Sequence, residues 1–368
     1  MPFNGGMLRI ARQRNGLQQG DAAKRLGVAQ ATLSRAENGL IEPSEAMIER
    51  AVVVYELPHS FFFQSDPIYG APVSVHPMWR KKASVTVRDM DFIVAELNLW
   101  VMHIRRLLEA AEIVEGAGVP HLDIEDYEDP EIEDYEDPER VAGLVRACWK
   151  VPPGPIQNLT ALVEQAGVIV IHSPLGESAV SGVTFAVPGL PPLVVLNEGL
   201  PADRLRFTLA HELGHLVMHR FPTPNMENEA NVFAGALLMP AADIRPYFVG
   251  RRVDLALLAA LKSEWKVAMQ SLLMRARSMG MVLPNQERYL WQQFSTRKMR
   301  LHEPPELDFP VEKPSTVGSM IRLHMDTLGY SLKDLEVFLH MRAEEIPRFY
   351  GLDLKERGRS RPLLRLVQ

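Results

Sequence analysis

The chain is predicted to be α+β and mainly helical, with an all-helical module at its amino end, a small sheet in its middle and helices beyond. Three observations predict this. Short amphipathic segments separated by glycine turns fill the first 58 residues, and valine-rich runs punctuated by Gly and Pro occupy 168–196. Helical periodicity returns from Pro201 and continues to Met279. At 368 residues and 46% hydrophobic content, the chain can bury more than one core. Its longest apolar stretches, such as Leu255–Leu261, are far shorter than the roughly 20 residues a membrane helix needs. Met1–Gly6 lacks a charged segment followed by an apolar core, so no secretory signal is read and the cytoplasm is the expected compartment. The single cysteine, Cys148, cannot form an internal disulfide and is expected to be a small buried hydrophobe.

Taken in order, Leu8–Arg14, Gln18–Leu26 and Gln30–Glu37 read as helices closed near Gly16, Gly27 and Gly39. Met78–Val114 is mostly helical by pattern, with apolar Phe92, Leu97, Leu99, Ile104, Leu107 and Leu108, and basic Arg80, Lys81 and Lys82 near its start. It is expected to pack as a connecting or dimerising helix. A further short helix, Arg140–Lys150, precedes the proline-rich loop Val151–Pro155. Helix Ile156–Ala166 then leads into three strands, Val168–Ile171, Val180–Val187 and Leu193–Leu196. Leu193–Leu196 leads toward the most informative helix and is either an edge open to strand addition or a buried strand.

Charge is unevenly distributed. Asp123–Glu139 holds eleven Asp or Glu and no Lys or Arg, so without it the net charge of −6 becomes +5. Within it, Ile124–Glu131 reads IEDYEDPE and Ile132–Glu139 repeats it letter for letter. Such dense like charge, with one proline per unit, cannot offset the entropy of ordering, and the segment reads as a solvated linker. Residues 1–58 carry seven Lys or Arg against six Asp or Glu, a weak footprint for nucleic acid.

Short helices joined by tight glycine turns suggest a helix-turn-helix. The string GLQQGDAAKRLGVAQATLSRAENG resembles the lambda-repressor-like, or XRE, domain over about residues 6–60. Gln18, Ala22 and Ala36 depart from that pattern, being a poorer cap and two smaller core residues. The resemblance implies that the helix beginning at Gln30 enters the major groove. Gln30, Thr32, Ser34 and Arg35 would then face bases or phosphates, and Gln19 would touch the backbone. One such module reads only a half-site, so a homodimer is expected. A module that serves protein interaction without binding DNA is the alternative.

The chemistry lies in RFTLAHELGHLVMH, Arg206–His219. His211 and His215 are four apart on a helix, which projects both rings from one face at a spacing that suits two ligands of one zinc ion. Glu212 is rotated about 100° from His211, so it can miss the metal and serve as general base toward a water at the open position. Apolar Leu205, Leu209, Leu213 and Leu216, with Pro201 as an early-turn residue, bury this helix and set the histidines toward a core or cleft. Eleven residues after His215 begins MENEANVFAGALLMP, a second helix with Thr223 and Pro224 expected at its N-cap and first position and Pro240 ending it. Glu227 and Glu229 are the candidates for a third ligand. They lie about 200° apart, and periodicity leaves the choice open.

The paired motifs, His-Glu-Leu-Gly-His followed by Glu-x-x-Ala-Asn-x-Phe-Ala and Leu-Leu-Met-Pro, resemble the ImmA/IrrE family of metallopeptidases from about Ile156 to Val282. That resemblance implies a gluzincin-like domain with a small sheet, in which Glu227 is the third zinc ligand and Asn231 orients a ligand histidine. Glu229 becomes structural or rim. His219, four beyond His215, could support a ligand or touch substrate, but is expected to be structural or solvent-facing and is not counted as a ligand, and Tyr247, His172 and Arg206 are unranked candidates for assisting an oxyanion. The chain is thus read as a helix-turn-helix domain (6–60), a helical connector with the acidic linker (78–150), a metallopeptidase-like domain (151–282) and a helical region without assigned chemistry (283–368). Leu255–Leu261 and Val267–Gly280 would form a lobe over the active site rather than a second DNA-binding unit. The implied activity is a zinc endopeptidase that cuts a partner transcription regulator to relieve repression. The alternative is a DNA-binding regulator, or an antitoxin-like protein, whose metal site senses or stabilises without proteolysis.

Overall fold

The computed structural model describes residues 2–71, 86–113, 118–120, 137–176, 180–219, 221–352 and 364–366. Arg80, Lys81, Lys82 and most of the duplicated acidic segment lie outside the described residues. The amino-terminal module is four helices, α1 (Gly5–Arg14), α2 (Gln19–Leu26), α3 (Gln30–Glu37) and α4 (Glu45–Tyr55). Its three turns carry Gly16, Gly27 and Gly39 at positive φ, as the sequence suggests. Gln18 does stand at the α2 N-cap without a side-chain bond. The small Ala36 is wholly buried, and Gly5 of α1 sits where an added Cβ would lie 2.1 Å from the Ala36 carbonyl oxygen. Close backbone approach therefore fills the space that a bulkier residue would have taken.

Helix α5 (Val87–Leu107) follows, and it is an internal beam: 13 of its residues are buried. Arg106 reaches Gln64 and Asp66, and Asn98 exchanges bonds with the backbone of Tyr69, so the segment after α4 is strapped along it. Beyond α5, a strand β1 (Ala111–Ile113) pairs antiparallel with β5 (Leu364–Leu366). The sequence reading placed no strand in either stretch. Both are three residues long, too short for a period-2 pattern to register.

Helices α6 (Pro138–Cys148) and α7 (Leu159–Gln165) lead into β2 (Ile169–Ser173), β3 (Gly182–Phe185) and β4 (Leu193–Asn197). Cys148 is exposed, contrary to the expectation of burial. It falls at the last position of α6, while Val141, Ala142 and Val145 take the core-facing side. The strand order is β2-β4-β3, with β2 parallel and β3 antiparallel to β4. Leu193–Leu196 is thus the central strand, and the edge reading for it fails because both of its sides are paired.

The sheet separates two cores. Ile169, Ile171, Val183, Phe185, Leu193 and Val195 face one, which also holds the helix-turn-helix module, α5 and two late helices, α13 (Thr316–Arg322) and α14 (Leu332–Leu339). Val170, Val194 and Leu196 face the other, with α6, α7, α8 (Ala202–Met218), α9 (Met226–Leu238), α10 (Leu255–Trp265), α11 (Met269–Ser278) and α12 (Pro284–Thr296). Alternation along each strand sends neighbours into different cores. The first core is knit by a polar chain in which Arg14 donates to Glu96, Ser173 donates to Glu96 and Trp100 donates to Ser173. Trp100 also stacks on Phe349 at 4.3 Å, Tyr350 shares a hydrogen bond with His103, and Arg342 donates to the Val52 carbonyl. Residues 316–350 therefore return to the amino-terminal module.

In the second core, Lys262 is 1% exposed and bonds Asp203 of the first α8 turn and Glu303. Burial disfavours its charge, but the two carboxylates outweigh burial and hold its pKa up. Lys262→Met leaves two buried carboxylates uncompensated, and urea unfolding should show a loss of about 3–5 kcal/mol. A second prediction concerns acid. Burial, aided by Arg106, holds His340 at about 4 and His103 well below the ordinary imidazole value. The unfolded chain takes these protons near pH 6.5, so stability is fully present above that pH and falls as pH drops toward 4. Melting temperatures measured from pH 7 to 4 should fall less steeply for His340→Gln than for the parent chain.

Candidate metal centre

Helix α8 starts at Pro201, which is its N-cap with an extended ψ of 149°. Its apolar Leu205, Leu209, Leu213 and Leu216 are buried as their spacing predicts, and His211, Glu212 and His215 are buried with them at 8%, 0% and 3% exposure. Buried over most of its surface, the helix has few directions from which a ligand can approach. The partner helix α9 begins at Met226 after Asn225, two residues later than Thr223 and Pro224 suggested. Asn225 caps without a side-chain bond, although Asn is as favoured at an N-cap as Ser or Thr.

Two glycines set the approach of the neighbours. A Cβ on Gly214 would lie 3.0 Å from the Phe233 ring and 3.3 Å from Ala230 Cα, so its absence lets α9 lie close along α8. A Cβ on Gly182 would lie 2.6 Å from Thr208 and 3.2 Å from Glu212 Cγ, and without it the edge strand β3 can touch α8. The first approach brings Glu227 to the histidines, and the second brings Thr184 to Glu212.

The resulting geometry gathers three ligand-type groups. His211 Nε2 and His215 Nε2 are 3.0 Å apart, and the Glu227 carboxylate lies 3.8 Å from the first and 3.3 Å from the second. All three potential ligand atoms fall within 4.8 Å of one another. Tetrahedral zinc with ligands at about 2.0–2.1 Å separates them by roughly 3.3 Å, so the observed spacings bracket the value a bound ion needs. Glu229, the other candidate, points to His219 instead, at 2.9 Å from Nε2. Asn231 Oδ1 stands 3.2 Å from His211 Nδ1, and its amide donates to the Glu227 carbonyl, which fixes which end of the amide faces the ring.

Glu212 is placed apart from these three. Its Oε2 accepts from Thr184 Oγ1 at 2.8 Å, while the buried Oε1 has no hydrogen-bond partner among the described residues. Burial pushes the Glu212 carboxyl up, and His215 and the Thr184 bond pull it partly back. Burial also lowers His211 to about 4, with the His215 ring adding to the shift, so it is neutral and free to offer a lone pair. Thr184 was not singled out in the sequence, because it becomes relevant only through the antiparallel pairing of β3.

The side chain of His219 is turned away from solvent: it is 3% exposed, and its Nδ1 meets His215 Nδ1 at 2.9 Å. The three oxyanion candidates fare differently. Arg206 is committed to Glu312 and the Ile156 carbonyl, and Tyr247 donates to Glu264. His172 lies on β2 with a buried Nε2 that has no hydrogen-bond partner among the described residues, and burial lowers its pKa. A second ligand-type group, Glu45, Glu49 and His59, is exposed on the amino-terminal module.

On that module the expected DNA contacts separate. Gln30 and Arg35 are exposed, Thr32 and Ser34 are half-buried, and Gln19 donates to Glu37, itself paired with buried Arg12. No helix among the described residues is long and apolar enough to cross a membrane.

Comparison with known proteins accords with this division. Residues 163–277 match the family model of the IrrE N-terminal-like domain, a family of metallopeptidases, and span the sheet, α8, α9 and α11. Residues 5–60 match a helix-turn-helix domain. No curated protein matches the chain. The order of the two matches, a helix-turn-helix domain ahead of an IrrE N-terminal-like domain, is that of the ImmA/IrrE architecture.

Proposed function

We propose that the protein is a DNA-binding transcription regulator whose fused domain is a zinc endopeptidase, cleaving a partner regulatory protein to relieve repression in a stress, prophage or mobile-element response. The observation that carries this is the convergence of two imidazole nitrogens and one carboxylate beside a separate, fully buried glutamate. Structural zinc sites are usually closed by four protein ligands, whereas three ligands with an adjacent base suit catalysis. His211, His215 and Glu227 would hold the ion. When bound, zinc supplies a Lewis acid that polarises a peptide carbonyl and acidifies water.

The remaining work falls to the chain's own groups. Glu212, with one oxygen held by Thr184 and the other unbonded, accepts a proton from water and delivers it to the leaving nitrogen. Burial, by raising its pKa, makes Glu212 a better base toward the water proton. The antiparallel edge strand β3, which carries Thr184, is the part of the sheet that can take an extended substrate by strand addition. Hydrogen bonds along that edge would align a peptide beside Glu212.

Binding of DNA rests on the helix-turn-helix match, with α3 as the recognition helix and Gln30, Thr32, Ser34 and Arg35 as its contacts. Gln19, tied to Glu37, would contact the phosphate backbone only by way of that bond's rearrangement. A second copy of the chain would complete a two-half-site reader.

Purified protein should bind about one zinc per chain, measured by elemental analysis, and His211→Ala or His215→Ala should remove it. Full occupancy in both variants would end the metal reading. Glu212→Gln should retain the metal yet abolish cleavage, and proteins trapped on that variant in the source cell should be cut by the parent chain. Trapped partners that the parent chain leaves intact would contradict the endopeptidase reading.

A further inference from the structure

Resting on the metal reading above, we infer that His219 and Glu229 are positioning residues that fix the tautomer and orientation of His215. The contact between His215 Nδ1 and His219 Nδ1, at 2.9 Å, allows one proton, so one nitrogen donates and the other accepts. Ligation through His215 Nε2 needs a lone pair there, which puts the ring's proton on Nδ1. His215 Nδ1 is therefore the donor and His219 Nδ1 the acceptor. The other nitrogen of His219 lies 2.9 Å from Glu229 Oε2, and an ionised carboxylate can only accept. The protons along Glu229, His219 and His215 have one consistent arrangement, and it ends with a lone pair directed at Glu227 and His211. With His219 Nδ1–H as donor instead, His215 would carry its proton on Nε2, 3.0 Å from the His211 nitrogen it must join in ligation.

Helix α9 thereby controls both histidines. Asn231 holds His211, Glu229 holds His215 through His219, and Glu227 itself comes from the same two turns. His219 reaches its place because it is the C-cap of α8, four residues past His215, where the backbone has turned to extended angles of −119° and 91°. Its side chain is 3% exposed while that of Glu229 is 35% exposed, so the chain of bonds runs from the protein rim into the buried centre.

The test is zinc affinity of the full chain, measured by chelator competition, beside the melting temperature of the metal-free protein. His219→Ala and Glu229→Ala should each weaken zinc binding about 10- to 100-fold with metal-free melting unchanged. His219→Asn, which keeps an acceptor oxygen where Nδ1 stands, should recover most of the loss. Wild-type affinity in His219→Ala, while His211→Ala abolishes binding, would overturn the positioning role and leave the metal reading intact. Zinc retained by both His211→Ala and His215→Ala would overturn both. Equal losses in His219→Ala and His219→Asn would show that packing alone accounts for His219, and should His219→Ala fail to fold, Glu229→Ala and His219→Asn decide the matter by the same comparisons.

Discussion

The candidate site depends on one helix-to-helix contact. At Gly214 the helix that bears the two histidines has no Cβ, and α9 comes close enough for Phe233 and Ala230 to rest against it. Helices usually pack 8–10 Å apart, with the separation set by the side chains between them. Removing a side chain at the crossing moves a whole turn of α9 inward. Glu227, Glu229 and Asn231 all lie on that helix, so a single close contact positions the carboxylate at the histidines and both groups that hold the rings. A parallel contact at Gly182 lets the edge strand bring Thr184 to the buried Glu212.

The sheet gives these contacts a fixed frame. Its strands are only four or five residues long, yet alternate side chains enter two different cores, so it is clamped from both sides. One core is the peptidase-like half. The other joins the helix-turn-helix module, α5 and the residues 316–350, with Arg14, Glu96, Ser173 and Trp100 bonded in series across three elements. Buried polar chains of this kind are costly when incomplete, and a shift of α1 relative to β2 would strand Glu96. The module that matches a DNA-binding fold thus shares a core, by way of α5, with the sheet that supports the peptidase-like site.

Much of this was legible in the residues, and the misses have physical causes. The three recognition-module helices and all three strands of the larger sheet carry strong local signals: glycine turns in one case, valine runs with Gly and Pro punctuation in the other. His211, Glu212 and His215 are legible because helical spacing alone puts two rings on one face. The choice between Glu227 and Glu229 was not, since their distinction arises from how α9 lies on α8, and only family resemblance favoured Glu227. The same holds for His219: at i+4 from His215 it could reach that ring or solvent, and the tertiary partner Glu229 decides. The place of Leu193–Leu196 in the sheet was left open between edge and buried strand because periodicity shows that a strand is buried without showing which strands flank it. Cys148 was misplaced by a single step of helical phase at the end of α6, where the apolar face has already ended.

The central claim is that two imidazole nitrogens and one carboxylate, drawn together by α8 and α9, form a zinc site. X-ray absorption at the zinc edge of the purified full chain addresses it directly. The account predicts a first shell of nitrogen and oxygen only, at about 2.0–2.1 Å, with the outer-shell scattering of two imidazole rings, and a reduced imidazole contribution in His215→Ala if any zinc remains. A shell containing sulfur, or one unchanged by that substitution, would contradict it.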